Sequence, residues 1–363
     1  MFLPDWLNYS LSENAATVMF RGLRGISANW GELIATAQST MSIYQDRRDP
    51  ELVERLYDYN STSALPLVAA SRILDSASQA PAGLPEEHRA NLGLSAAVAF
   101  GMYGNFPSAK AVIQRTKHFN NLEISSSLAA IVATAAPELL PEMLSYCDTD
   151  SAAKRYLELL EYFLRTGEIT NTSEIRQALI ECLLDAPSSF ENSLFRSCRL
   201  CLEHIFNLSL ARVLQEQCNC FSEAYINQLV DKGIRVLLPP QFKAIVHHDL
   251  PTNRGNTLIS LPTSSGKTLL GELCLVAALQ QKPGIVCYLA PYVALGNQVA
   301  QTLQEHLPKQ YKIRRLIGGY RENECLNPHE CMEVVVATPE RMDALLRISP
   351  NLVPYIRCVV VDE

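Results

Sequence analysis

No uninterrupted apolar run in the 363 residues reaches the roughly 18 that a membrane-spanning helix requires. The first ten residues, MFLPDWLNYS, carry Asp5 where a secretory leader carries positive charge. Nor is there an excess of positive charge overall, since the formal net charge is −7. An even cysteine framework is missing too. The 11 cysteines are odd in number and scattered, with Cys274, Cys287 and Cys358 inside apolar segments, as suits reduced, buried thiols rather than disulfides. These absences predict a soluble, cytoplasmic protein with no membrane partner. Charged residues are only 19% and hydrophobic residues 48%, which excludes a disordered chain and supplies enough apolar surface for two domains.

What the chain does contain is unevenly divided. From Lys232 onward 14 Lys and Arg stand against 11 Asp and Glu, a balance of +3, which leaves 17 against 27, or −10, before it. Only the later part has a charge that favours a phosphate backbone. The earlier part, residues 1–230, shows no strand signal. Apolar residues recur there at helical spacing in segments from Glu13–Arg24 through Glu86–Tyr103 and Glu191–Phe206 to Ser222–Asp231, cut by Pro, Gly and Asn clusters. Short loops between such segments predict antiparallel helix hairpins, in a bundle or irregular helical repeat that offers a surface for a protein partner. Asn91-Leu-Gly and Tyr103-Gly-Asn-Phe-Pro-Ser-Ala109 look like one tetratricopeptide-type hairpin, without a return at fixed period. Cys198, Cys201 and His204, with Cys218 and Cys220 beyond, suggest a zinc set, but three ligands spaced three apart drift around a helix. Buried thiols are the better reading.

The later part, residues 231–363, turns on Leu261 to Thr268, LPTSSGKT. Thr257–Leu261 reads as a buried strand and Thr268–Leu279 as a helix. Strand, small-residue loop, Gly-Lys-Thr and helix are the context of a phosphate-binding loop, although Leu261 stands where that pattern begins with Gly. Thr263, Ser264, Ser265 and Gly266 let backbone N–H groups close on a triphosphate at a helix N-terminus. Lys267 would reach the β- and γ-phosphates, and Thr268 would offer its hydroxyl to Mg²⁺. Further apolar runs at Ile285–Pro291, Lys312–Ile317, Val334–Ala337 and Cys358–Val361 alternate with helices, which predicts a parallel sheet covered on both faces. Ligands gather at the carboxyl ends of such strands. Asp362 and Glu363 stand at one of those ends, where Asp362 would hold Mg²⁺ and Glu363 would deprotonate an attacking water. Gln241, after Pro239-Pro240, presents an amide that pairs with an adenine edge, or is simply an exposed residue at a helix start.

Taken together, these motifs resemble the first RecA-like motor domain of a superfamily-2 DExH/DEAD-type helicase. Gln241 is similar to the adenine-reading motif, LPTSSGKT to motif I, Ala290-Pro-Tyr-Val-Ala-Leu295 to motif Ia, Thr338-Pro-Glu-Arg341 to the motif on the nucleic-acid face, and Asp362-Glu363 to the start of the DExH box. Leu-Leu-Pro-Pro-Gln241 and the run from Pro262 to Glu272 are similar to the superkiller-like branch. A long helical segment in front resembles its anti-phage defence members of the Hachiman type. The resemblance covers about residues 232–363. It implies ATP and Mg²⁺ as cofactors, movement 3′ to 5′ along a single-stranded or tailed nucleic acid, and Pro291, Thr338, Pro339 and Arg341 along the strand path. Arg341 also reads as a helix-start residue paired with Glu340 or Asp343. The family's later motifs are not in these 363 residues. The expectation is therefore the front portion of a longer helicase, unable by itself to unwind. A double-strand translocase, and a partner-binding helical module carrying a nucleotide-sensing half-motor, are the alternatives.

Overall fold

The computed structural model describes residues 30–45, 50–59, 61–79, 85–116, 124–218, 220–252, 255–261, 266–317 and 332–362. The candidate helix at Glu13–Arg24 and the residues Thr263, Ser264, Ser265 and Glu363 lie outside these. The chain separates into two units, residues 1–212 and 213–363.

Among the described residues the first unit is helical. Its helices are α1 (Trp30–Tyr44), α2 (Pro50–Arg55), α3 (Leu65–Ser78), α4 (Glu86–Gly101), α5 (Phe106–Arg115), α6 (Ser126–Ala135), α7 (Leu140–Leu144), α8 (Ala152–Thr166), α9 (Thr172–Leu184) and α10 (Ser189–Leu208). Local chemistry sets many of the boundaries. Asn105, Ser125, Ser151 and Ser188 each accept a backbone N–H three residues on, capping α5, α6, α8 and α10. α8 stops at Gly167, whose φ of 68° is left-handed. Its buried residues Ala153, Tyr156, Leu157, Leu160, Phe163 and Leu164 form one stripe at helical spacing.

α10 and the apolar second half of α4 form the centre, packed against α1, α6 and α9. The hairpin between α4 and α5 turns through Gly104 (φ 76°), and Gly93 lies close against Thr116, small where the helices meet. Cys198 and Cys201 are fully buried on α10, with the Cys201 thiol directed at the Val98 and Ser197 carbonyls. His204 Nε2 lies 2.9 Å from Met102 O. No group of three or more metal-ligating side chains gathers among the described residues. No described helix is long and apolar enough to cross a membrane.

The second unit alternates helix and strand: α12 (Glu223–Asp231), α13 (Pro239–Val246), α14 (Lys267–Gln281), β1 (Gly284–Leu289), α15 (Val293–His306), β2 (Tyr311–Leu316), β3 (Met332–Ala337), α16 (Pro339–Ile348) and β4 (Ile356–Val361). α11 (Leu210–Cys218) crosses the division. The four strands are parallel in the order β2-β3-β1-β4. α14 and α15 lie on one face, where Gly271 fits α14 against Tyr288 and Val360. The other face holds Ile285, Cys287, Val335 and Ala337 under Met342, Leu352 and the α16 leucines.

Two expectations are corrected. Residues 256–261 form no strand. They join none of the four ladders, and Leu258 is 93% exposed, so a segment without a hydrogen-bonding neighbour stays irregular despite its apolar content. α12, placed by its periodicity with the helical part, lies in the second unit. Its Tyr225 hydroxyl donates to the buried Glu272 carboxylate of α14 (2.7 Å), which His306 Nδ1 of α15 also approaches at 2.8 Å. Gln228 adds a bond to Glu305 O at 2.8 Å. These polar ties are invisible to helical periodicity.

Candidate nucleotide and nucleic-acid site

Because all four strands are parallel and paired in register at their ends, their carboxyl termini lie along one edge. Leu289 of β1 stands opposite both Ala337 of β3 and Val361 of β4. The ladder continues one residue further through Ala290 N to Ala337 O and Asp362 N to Leu289 O, each 2.9 Å. Across this edge the order is therefore Thr338, Pro291, Asp362, from β3 through β1 to β4.

The nucleotide half lies beside β1 and β4. α14 opens at Lys267 with Gly266 before it at φ 71°, a conformation that favours glycine. A Cβ on Gly266 would also overlap the Gln241 amide nitrogen. Gln241 is not the exposed helix-start residue that one reading allowed, for it is only 3% accessible. Its Oε1 accepts the Leu238 N–H at 2.8 Å, closing the start of α13, and its Nε2 donates to Gly266 O at 3.0 Å. The expected adenine reader is thus tied to the backbone at the end of the phosphate loop, with one further hydrogen-bonding position left at each end of its amide. Lys267 Nζ reaches back to Leu261 O at 3.3 Å and is otherwise exposed.

Thr268 and Asp362 come together through a residue the sequence reading passed over. Tyr288, buried on β1, donates its hydroxyl to Asp362 Oδ2 at 2.6 Å, and the Thr268 side chain lies near enough to act on the phenol. Burial first, and the neighbouring carboxylate second, push the phenol well above its usual pKa, so it remains protonated and a donor. Strand alternation carries the arrangement: Tyr288 pairs with Val360, and Asp362, two residues on, shares that face. Only the β1–β4 register could have identified Tyr288.

The other half lies beside β3 and β1. Thr338 follows β3 and precedes Pro339, the first residue of α16, and its carbonyl accepts the Arg341 and Met342 N–H groups at 3.1 and 3.0 Å. Pro339 and Arg341 are exposed, and Asp343, one suggested partner of Arg341, is paired with Arg347 at 2.9 Å. Pro291 follows β1 and is half-buried, and Tyr292 beyond it is 71% exposed. A free aromatic ring on this edge was not singled out from sequence, because only burial tells an exposed Tyr from a packed one.

Comparison with known proteins addresses this same stretch. The DEAD/DEAH box helicase family model matches residues 239–363. Residues 239–363 are a DEAD/DEAH box helicase domain. The chain is similar to ATP-dependent DNA helicase Hel308 of Pyrococcus horikoshii, 32% identical over 136 residues, covering 37% of this chain and 18% of that protein. Hel308 of Methanocaldococcus jannaschii is 35% identical over 143 residues, 37% of this chain and 12% of its own. The Hachiman protein HamB of Bacillus cereus is 33% identical over 109 residues, 29% of this chain and 10% of its own. The chain thus spans less than a fifth of the curated relatives it matches. The domain's site residues fit a nucleotide with Mg²⁺. The Asp362 carboxylate, held by the Tyr288 phenol, and the Thr268 hydroxyl are oxygen donors at this edge, and the helix carrying Thr268 begins with the cation of Lys267.

Proposed function

We propose that the protein is an ATP-driven motor on single-stranded or tailed nucleic acid, moving 3′ to 5′, with these residues forming its ATP-binding portion. The observation that carries the reading is Asp362 held by Tyr288 at the end of β4, against the helix that starts at Gly266-Lys267 and packs on Tyr288 through Gly271. In this reading Lys267 leaves the Leu261 carbonyl for the β- and γ-phosphates, and the N-terminal amides of α14 hold the same charge. Thr268 and Asp362 hold Mg²⁺, which supplies neutralisation of the phosphate oxygens. Glu363 takes the proton of the attacking water, and Gln241 reads adenine from its place against the loop. Pro291, Thr338, Pro339 and Arg341 line the strand path, with the Tyr292 ring a platform for a base. Similarity to Hel308 supports a nucleic-acid substrate. Similarity to HamB supports a setting in phage defence. A cytoplasmic location and the helical residues 1–230 as docking surface for a protein partner complete this reading.

The test is binding of a fluorescent ATP analogue with Mg²⁺ to the chain and to Lys267→Ala. The lysine is exposed, so its loss should leave melting unchanged. A loss of about tenfold or more in affinity, about 1.4 kcal/mol, is expected. Equal binding by both proteins refutes the reading.

A further inference from the structure

We propose that Tyr288 is a positioning residue for the Mg²⁺ of this site, its hydroxyl setting the Asp362 carboxylate; the inference rests on the nucleotide reading above. A buried tyrosine on a strand could serve packing alone, but packing needs only the ring, and phenylalanine would supply it. The hydroxyl here has a specific partner. It donates to Asp362 Oδ2 at 2.6 Å, so its one proton is committed.

One consequence follows for the oxygen that faces the ligand. Fixing Oδ2 fixes the carboxylate plane and leaves Oδ1, a hard oxygen donor, for the cation or its water. The phenol itself is held in place. Gly271 of α14 lies so close that a Cβ there would stand 3.3 Å from the ring and 3.1 Å from Val360. The helix that begins at the phosphate loop and the strand that leads to Asp362 therefore clamp the phenol that holds this carboxylate. Outer partners of this kind commonly carry a tenfold to hundredfold effect on metal affinity.

The experiment titrates Mg²⁺ into the 363-residue chain with the fluorescent ATP analogue bound, for wild type, Tyr288→Phe, Asp362→Asn and the double variant. Lys267→Ala serves as the control for the nucleotide site. Tyr288→Phe should raise the Mg²⁺ concentration for half-maximal response roughly tenfold. It should leave binding in EDTA and the melting curve of the free protein unchanged, and add nothing in the Asp362→Asn background. Coincident Mg²⁺ curves for wild type and Tyr288→Phe, with Lys267→Ala defective, overturn the role of Tyr288 alone. An equal loss in EDTA and in Mg²⁺ also overturns it, since that is what a packing defect gives. Wild-type binding that ignores both Mg²⁺ and Lys267 overturns the nucleotide reading with it.

Discussion

The His204 imidazole has no solvent exposure, and its two nitrogens are unequal. Met102 O can only accept, so Nε2 carries the proton, and Nδ1 is left as a bare acceptor with no hydrogen-bond partner among the described residues. Protonating Nδ1 would place a charge in an apolar core beside the Tyr57 ring. Burial accordingly lowers the pKa from 6.5 to about 4, against the smaller opposing effect of the Met102 carbonyl. The unfolded chain binds the extra proton near 6.5 and the folded chain only near 4. Stability from this group is therefore complete above pH 6.5 and is lost as the pH falls toward 4, by roughly 3 kcal/mol in all. Thermal melting of wild type and His204→Gln between pH 7 and 4.5 measures it. The wild-type Tm should fall more steeply than the variant's, and parallel curves would show that the imidazole is not the source.

At the scale of elements, what was legible in the sequence depended on how local the signal was. The runs that became β1 and β3 were readable because strands buried on both faces are continuously apolar, and β4, at the sheet edge, was readable from its run of valines. The helix after Gly266-Lys267 was readable because its loop and cap are consecutive residues. Thr257–Leu261 carried the same apolar signal and formed no strand, since pairing depends on a neighbour that periodicity does not specify. α11 was missed because it follows α10 after a single residue, Ser209, with no breaker cluster between them. Much of the candidate site, with Lys267, Thr268 and Asp362 at its centre, was readable as motif. Tyr288 was not, for its role exists only once β4 lies beside β1. β2 also hides a cross-strand tie. Arg314 donates to Glu333 Oε1 of β3 at 3.0 Å, and that glutamate is fully buried with Oε2 unpartnered among the described residues. Arg314→Met leaves a buried carboxylate without its cation and should cost about 3–5 kcal/mol. Arg314→Met with Glu333→Met removes the stranded charge and should recover most of it. Urea midpoints of the two variants test the pair, and an unchanged midpoint for the single variant would mean the ion pair contributes nothing.

For the whole molecule the deciding quantity is where charge lies. Residues 213–363 hold 14 Lys and Arg and 14 Asp and Glu, so the net −7 resides entirely in residues 1–212, with 17 basic against 24 acidic. The strand path proposed along Pro291, Thr338 and Arg341 belongs to the neutral unit. A polyanion approaching it meets the field of the acidic unit, which ions screen beyond about 10 Å at 0.1 M salt. If the helical unit only docks a protein partner, residues 213–363 alone should bind a fluorescent single strand more tightly than the full chain at low salt. The two affinities should then converge as salt rises, after circular dichroism confirms that the shorter chain is folded. The opposite order, tighter binding by the full chain at every salt concentration, would mean that residues 1–212 contact the strand despite their charge. The helical unit would then be part of the nucleic-acid path, and the docking role assigned to it would fail.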